Sequence, residues 1–233
     1  MKVAIMQSYI FPYIGYFQLI NAVDIFVIYD NIQYTKRGWI NRNRILCDGK
    51  DEYFTLTIKK DSDYLNVLAR SLSPEWNKDK EKLVNKIRNS YKKASYYKET
   101  IELVENVFSY SDTNLFRFIS NALKETLEIL SIKTKIVISS TLEIDHALKG
   151  KEKVTAICKE LNAQTYINPI GGIELYNKED FTENSINLQF LKTSDIKYKQ
   201  FNNEFIPFLS IIDILMFNSK EEVQQMLTNY ELL

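Results

Sequence analysis

The first thirty residues contain the pattern that most limits the folds open to this chain. Val3 to Met6 form a short continuous apolar run, and a second such run extends from Ile25 to Tyr29. Between them, Pro12 suits the first turn of a helix. Apolar side chains then recur at spacings of three and four, at Tyr13, Tyr16, Phe17 and Ile20. Continuous apolar runs are typical of strands buried on both faces, so the segment predicts the strand, helix, strand unit of a parallel sheet.

The same alternation resumes in the second half of the chain. A helical pattern runs to about Leu130, and the segments 135–139, 164–167 and 188–191 are typical of strands. A lysine-rich stretch from Trp76 to Phe108 predicts helix instead. We therefore expect an α/β protein with a mostly parallel, Rossmann-like sheet and helices on both faces. We expect one domain over residues 1–233, with a helical insert or subdomain at 70–110.

Composition excludes several classes of protein. Thirty basic and thirty acidic residues cancel, which argues against a dedicated electrostatic binder of nucleic acid, DNA included, but leaves a local basic patch open. Two distant cysteines and a single histidine favour neither a disulfide framework nor a metal site. The opening residues lack the order of a signal peptide, and no apolar run reaches the roughly 18 residues of a membrane span. We expect a cytoplasmic protein that does not associate with a membrane.

The segment MQSYIFPYIGYFQLI, residues 6–20, places many aromatic rings directly after the first predicted strand. In open α/β sheets that position lies at the carboxyl edge, where ligands bind. Gln7 and Ser8 are candidates to hydrogen-bond a ligand, and Gly15 would allow close approach to the helix backbone. Tyr9, Phe11 and Tyr13 are candidates to stack on a base or sugar. The alternative is core packing, which aromatic residues at helical spacing more often serve.

Residues 33–44, QYTKRGWINRNR, combine positive charge with a flat ring and amides. The candidate binding residues in it are Lys36, Arg37, Trp39, Asn41, Arg42, Asn43 and Arg44. Guanidinium groups bind phosphate or carboxylate with two parallel hydrogen bonds, and tryptophan offers a stacking face. The set suits a nucleotide, a sugar diphosphate or a tRNA backbone. The alternative is a solvated basic hairpin.

Two adjacent glycines, Gly171 and Gly172, follow the predicted strand at 164–167. Backbone amides that carry no side chains can bind an oxyanion or a phosphate. The pair does not form a dinucleotide-binding or Walker motif, however, and glycine pairs also mark plain turns. Both interpretations stay open at this point.

Two residues are candidates for catalysis. His146 stands beside Asp145, which could orient it as a general base, although a lone histidine in a polar loop more often lies at the surface. Asp213 is a carboxylate in the apolar helical segment LSIIDILM. A carboxylate there must be paired or face a cleft, so Asp213 is either a structural partner of a basic residue or a site residue.

Three blocks of the chain resemble the WbqC-like protein family. They are MQSYIFPYIGYFQLINAVDIFVIYDNIQYTKRGWINRNRI, YINPIGGIELY and FLSIIDILMFN. The similarity extends over essentially the whole chain, from Met6 to Phe217. The resemblance implies a role in the biosynthesis of surface polysaccharides of the O-antigen type, and the family is described as glycine transferases acting on an amino sugar. Ser8 departs from the proline that usually follows the opening Met-Gln, so a rigid-turn role is not expected there.

A weaker resemblance concerns the nucleotidylyltransferases and class I synthetases, which have a Rossmann-like fold. Their HxGH motif would fall on residues 13–16, where Tyr13 and Tyr16 replace both histidines. Phenols are neutral near pH 7, so arginines such as Arg37, Arg42 or Arg44 would have to supply the positive charge.

These resemblances and the candidate residues lead to three hypotheses. The first is a cytoplasmic enzyme that transfers an aminoacyl group, glycyl in particular, to the amine of a nucleotide-linked amino sugar, with an aminoacyl donor such as a charged tRNA. The second is a non-catalytic protein that binds a nucleotide sugar or a tRNA. The third is a nucleotidyl-transferring enzyme. No cofactor is assigned.

Overall fold

The computed structural model describes all residues from 1 to 233. Its strands are β1 (Lys2–Gln7), β2 (Ile25–Tyr29), β3 (Arg42–Cys47), β4 (Lys50–Thr55), β5 (Lys135–Ile138), β6 (Thr165–Pro169), β7 (Asn187–Thr193) and β8 (Tyr230–Leu232). Its helices are α1 (Ile14–Asn21), α2 (Trp76–Tyr91), α3 (Tyr97–Ser109), α4 (Leu115–Ile129), α5 (Gly150–Glu160), α6 (Lys178–Thr182), α7 (Ile211–Phe217) and α8 (Lys220–Met226). No helix combines the length and the apolar composition that a membrane span requires.

The central sheet has six strands in the order β5-β2-β1-β6-β7-β8. The first five are parallel, and β8 pairs antiparallel with β7 at one edge. Counted in chain order within this sheet, the arrangement is 3-2-1-4-5-6, the order of Rossmann-type sheets. The predicted α/β class with a mostly parallel sheet is confirmed. The strand order reverses between β1 and β6, which makes their carboxyl ends the expected ligand position.

Apolar residues cover both faces of the sheet. In β2, Phe26 and Ile28 belong to the larger hydrophobic cluster, whereas Ile25 and Val27 belong to the smaller one. The larger cluster includes α1 and α4, and the smaller includes α5 and α6. Because successive side chains of a strand point to opposite faces, a continuous apolar run is required when both faces are covered. The continuous apolar runs near the N-terminus are therefore explained by the coverage of both faces of the sheet.

The connection from β2 to β5 is long and contains the β3–β4 hairpin as well as α2, α3 and α4. Helices α2 and α3 fall within residues 70–110. Val84, Ile87 and Tyr91 form the buried stripe of α2, at spacings of three and four. They belong to the same hydrophobic cluster as α1. The boundaries of the insert stay a prediction.

Candidate ligand-binding site

The turn between β1 and α1 is held in a strained conformation. Phe11 has a φ of +41°, which is unusual for a residue with a side chain, and it is only 1% exposed. The amide of Asn43 donates to the backbone oxygens of Ile10 at 3.1 Å and of Phe11 at 2.8 Å. The Ser210 hydroxyl donates to the same Phe11 oxygen at 2.8 Å. Neighbouring structure therefore imposes this conformation, as is common at ligand sites.

A cavity of about 220 Å³ opens beside this turn, and we call it the switch-point cavity. Met6 and Pro169 place it at the carboxyl ends of β1 and β6, where the strand order reverses. The sequence-predicted residues that line it are Tyr9, Tyr13, Gly15, Trp39, Asn43 and Arg44. The structure thus brings together parts of two segments, the opening turn at residues 8–13 and the basic segment at residues 33–44.

Three tyrosines form one wall of the switch-point cavity. The Tyr16 hydroxyl donates to the backbone oxygen of Gln7 at 2.8 Å, and the Tyr9 hydroxyl lies 3.4 Å from the Gln7 side-chain oxygen. Burial raises the pKa of Tyr9, Tyr13 and Tyr16 above the ordinary phenol value. These phenols are therefore neutral near pH 7 and are suited to donate hydrogen bonds rather than to act as bases.

Tyr13 separates the switch-point cavity from a second, larger one. Its phenol covers Gly15 so closely that any Cβ at position 15 would overlap it. Its ring meets that of Phe208 edge-on, with centroids 6.1 Å apart. Phe208 is 66% exposed and has a φ of +57°. Beyond the pair lies a cavity of about 410 Å³, which we call the β7-end cavity and which includes Asp195 and Glu231 in its lining.

Trp39 forms the outer wall of the switch-point cavity and is 40% exposed. Its ring stacks with that of Tyr53 at 6.0 Å between centroids and an interplanar angle of 28°. The Arg42 guanidinium lies 4.8 Å from the Tyr53 centroid and 5.9 Å from that of Trp39. The Arg44 guanidinium is 5.8 Å from Trp39. The result is a flat aromatic platform with two cations beside it.

The two arginines of this platform differ in how their charge is compensated. Arg44 donates to Asp51 at 2.8 Å and to the Phe208 backbone oxygen at 3.2 Å. Arg42 donates only to the backbone oxygens of Gly38 and Arg37, and forms no ion pair. Arg42 does not line the switch-point cavity but keeps a charge without an ion-pair partner beside Trp39, which does.

The other candidates of the basic segment lie outside the lining of the switch-point cavity. Asn41 is buried, accepts from the Tyr34 hydroxyl and donates to a backbone oxygen, which indicates a structural role. Lys36 is exposed and pairs with Asp63 at 2.7 Å. Arg37 is exposed with a φ of +64°.

The double glycine lies in a single 3-10 turn after β6, next to the cavity-lining Pro169. A Cβ on Gly172 would overlap the amide of Asn168, so this glycine is required by close packing. Gly171 faces open space. Neither glycine lines the switch-point cavity.

His146 lies at the surface, near the ends of β2 and β5. Its Nδ1 is 3.0 Å from the Asn31 amide nitrogen, and its Nε2 is 3.2 Å from the backbone oxygen of Leu142. Asp145 accepts from a backbone N–H instead of orienting the imidazole. His146 lines neither of the two cavities.

Asp213 is fully buried and has no basic partner. Its carboxylate accepts from the hydroxyls of Tyr91 at 2.7 Å and Tyr198 at 2.6 Å, and from the amide of Gln200 at 2.7 Å. Burial raises the pKa of Asp213, and these hydrogen bonds act in the opposite direction. The sequence left open whether Asp213 pairs with a basic residue or belongs to a site, and in the structure two phenols and an amide satisfy the carboxylate instead of a basic residue. Of its three hydrogen-bond partners, only Tyr198 lines the β7-end cavity.

Sequence reasoning missed a buried lysine at the same edge of the sheet. Lys153 is 5% exposed and donates to the Asn31 side-chain oxygen at 3.0 Å. Its ammonium lies 5.4 Å from the centroid of the Tyr29 ring. Burial lowers the pKa of Lys153, and Asp30 acts in the opposite direction. The available signal was its position four residues before Ile157, on the apolar face of α5.

Fold and site together define an α/β protein with a Rossmann-type strand order and an aromatic, arginine-flanked cavity at the switch point. The model of the WbqC-like protein family matches residues 7–225, and the chain belongs to this family. An uncharacterized protein of Mycobacterium tuberculosis, Rv1507c, is 29% identical over 219 residues, which cover 92% of each chain. No solved structure matches, so the resemblance to nucleotidylyltransferases and class I synthetases is not confirmed.

Proposed function

We propose that this WbqC-like protein acts in the cytoplasm in surface-polysaccharide biosynthesis, where it binds a nucleotide-linked amino sugar and transfers a glycyl group to its amine. One observation carries the binding part of the proposal. Tyr9 and Tyr13, from the opening turn, and Trp39 and Arg44, from the basic segment, line one cavity where β1 and β6 end. Aromatic faces beside guanidinium groups suit a nucleobase with its attached phosphates.

The sizes of the two cavities support a ligand of two parts. Drug-sized ligands occupy pockets of about 300 to 1,000 Å³, so the 220 Å³ of the switch-point cavity suit a single flat ring. The β7-end cavity provides a further 410 Å³ on the other side of the Tyr13–Phe208 pair. A base in the first and a sugar in the second would place the linking phosphates near Tyr13.

The transfer step requires a group that accepts a proton from the amine. His146 and Asp213 line neither cavity, so they have no direct contact with a ligand bound there. The neutral phenols of Tyr9 and Tyr13 are suited to donate to a developing oxyanion. Asp195 and Glu231, in the β7-end cavity, are the carboxylates available to the amine.

A non-catalytic protein that binds a nucleotide sugar or a charged tRNA is the second candidate. It is favoured by the lining of the switch-point cavity, which contains no aspartate, glutamate or histidine. Its tyrosines have raised pKa values and stay protonated near pH 7. A stacking site requires rings and cations but no base.

Titration calorimetry with UDP-, GDP-, dTDP- and CMP-linked sugars tests the binding proposal. Tyr13→Ala should weaken binding at least about tenfold, because loss of a stacked ring costs about 1 to 3 kcal/mol. It should change the melting temperature little. Phe17→Ala is the matched control, because Phe17 is fully buried and its loss should cost about 3 to 5 kcal/mol of stability. A Tyr13 variant that melts early and binds normally would show that the opening turn is only core.

Mass spectrometry separates the two candidate functions. Incubation of a nucleotide-linked amino sugar with glycyl-tRNA should yield the sugar enlarged by one glycyl residue if the protein is the transferase. Tight binding without this product would support the binding protein. Failure of the wild-type protein to bind any of the nucleotide-linked sugars or glycyl-tRNA would contradict both.

A further inference from the structure

Arg70 is a buried arginine without a counter-charge. It is 3% exposed, and its only side-chain hydrogen bond runs from Nη2 to the Ser62 backbone oxygen at 2.8 Å. Its Nε is buried and has no acceptor. Its guanidinium lies 4.5 Å from the centroid of the Tyr34 ring. No carboxylate forms an ion pair with it, in contrast to Arg44 and Arg88.

The buried guanidinium of Arg70 lacks the carboxylate and the full set of hydrogen-bond acceptors that usually accompany a buried arginine. A buried charge is costly unless an opposite charge and enough hydrogen bonds accompany it. Tyr34 supplies a cation–π contact and Ser62 a single acceptor, but neither carries a negative charge. Arginine has five N–H donors, and most of those of Arg70 remain unused.

Lys36 contacts the residue that follows Ser62, because its ammonium lies 2.7 Å from the Asp63 carboxylate. Burial raises the pKa of Tyr34, and the positive charges of Arg70, Arg42 and Lys36 act in the opposite direction. Arg42 forms no ion pair. The only carboxylate paired with this group of cations is Asp63, which holds Lys36 with both side chains more than half exposed. Of these three cations, Arg70 and Arg42 therefore have backbone oxygens as their only acceptors.

We propose that Arg70 and Lys36, which contact the adjacent residues Ser62 and Asp63, together bind a phosphate group at the segment 61–64. The planar fork of arginine matches two oxygens of a phosphate, and lysine adds a point charge. The exposed Lys36–Asp63 pair contributes little stability, so phosphate can replace Asp63 as the partner of Lys36. Neither Arg70 nor Lys36 lines the switch-point cavity, and the site does not depend on the function proposed for that cavity.

Thermal unfolding in potassium phosphate, compared with potassium chloride at equal ionic strength, tests this site. The wild-type protein should show a saturable rise in Tm with phosphate beyond that with chloride, because a ligand that binds only the folded state stabilises it. Arg70→Gln should abolish the rise. Lys36→Gln should weaken the phosphate affinity about fivefold or more. Arg88→Gln is the matched control and should keep the full rise, because Arg88 is paired with Glu105 on the helical layer.

Inorganic phosphate and AMP form two arms of the experiment. Both arms support the site if Arg70→Gln removes the response. Tighter binding of AMP assigns the site to the phosphate of a larger ligand, and tighter binding of inorganic phosphate assigns it to the free ion. The proposal is overturned if the wild type responds no more to phosphate than to chloride, or if Arg70→Gln responds like the wild type. Should Arg70→Gln fail to fold, Lys36→Gln decides, because it alters an exposed side chain; an unchanged affinity would then overturn the proposal.

Discussion

The opening turn, residues 8–13, and the basic segment, residues 33–44, are both rich in rings and polar groups, yet they differ in exposure. Ile10 and Phe11 are buried, and Phe11 packs against the rings of Phe54 and Phe108. Trp39, in contrast, is 40% exposed and stacks on a ring that is itself exposed. The turn mainly provides a rigid wall, and the basic segment provides an accessible platform. Similar composition therefore does not imply a similar role.

Asn43 connects the two regions. It belongs to the basic segment, but its side chain is buried and donates to two backbone oxygens of the opening turn. It also lines the switch-point cavity. The shape of the platform is thereby coupled to the strained conformation at Phe11. Substitutions at Phe11, Asn43 and Trp39 should distinguish three parts: the buried ring of the opening turn, the amide that links the turn to the basic segment, and the exposed aromatic platform.

Phe11→Ala should have the largest effect, a loss of about 3 to 5 kcal/mol in the free energy of unfolding. The reason is that it removes a fully buried ring that contacts two others. Chemical denaturation followed by circular dichroism measures the loss. Tyr64→Ala is the control, because Tyr64 is 84% exposed and its loss should have little effect. Equal stability of the two variants would contradict a structural role for the buried ring of Phe11.

Asn43→Ala should cost about 1 to 3 kcal/mol, because the oxygens of Ile10 and Phe11 would lose a buried donor. The same denaturation experiment measures it, with the exposed Asn202→Ala as the control. We also expect weaker ligand binding, since the turn would no longer be held against the basic segment. A variant with wild-type stability would show that the two regions are not linked through this amide.

Trp39→Ala should have the smallest effect on stability, below about 1 kcal/mol, because the ring is partly exposed. Ligand binding should nevertheless weaken by about 1 to 3 kcal/mol, as for the loss of a stacked base. Calorimetry with the tightest nucleotide ligand checks the second part, with the exposed Asn202→Ala as the control. A large loss of stability with unchanged binding would mean that Trp39 belongs to the core instead.

The fold could be predicted further than the site. The apolar runs that became β1, β2 and β5 indicated a parallel sheet, and the structure contains it. The pattern did not indicate β8, whose three residues gain their strand conformation only by pairing with β7. At the candidate site, the rings of the opening turn were predicted to lie at the carboxyl edge of the sheet, and Tyr9 and Tyr13 line a cavity there. The sequence left open whether His146 and Asp213 belong to a site, and neither lines one of the two cavities.

Elements whose apolar spacing repeats within a few residues, such as β2 and α2, could be predicted without a structure, because burial of a strand or helix face depends on neighbours along the chain. The partners of Asp213 are visible only in the folded chain, since Tyr91 lies 122 residues away from it. The same holds for Arg70, which reads as an ordinary basic residue until the packing of Tyr34 and Ser62 encloses it. Contacts between distant segments depend on how the whole chain packs, so local sequence patterns do not predict them.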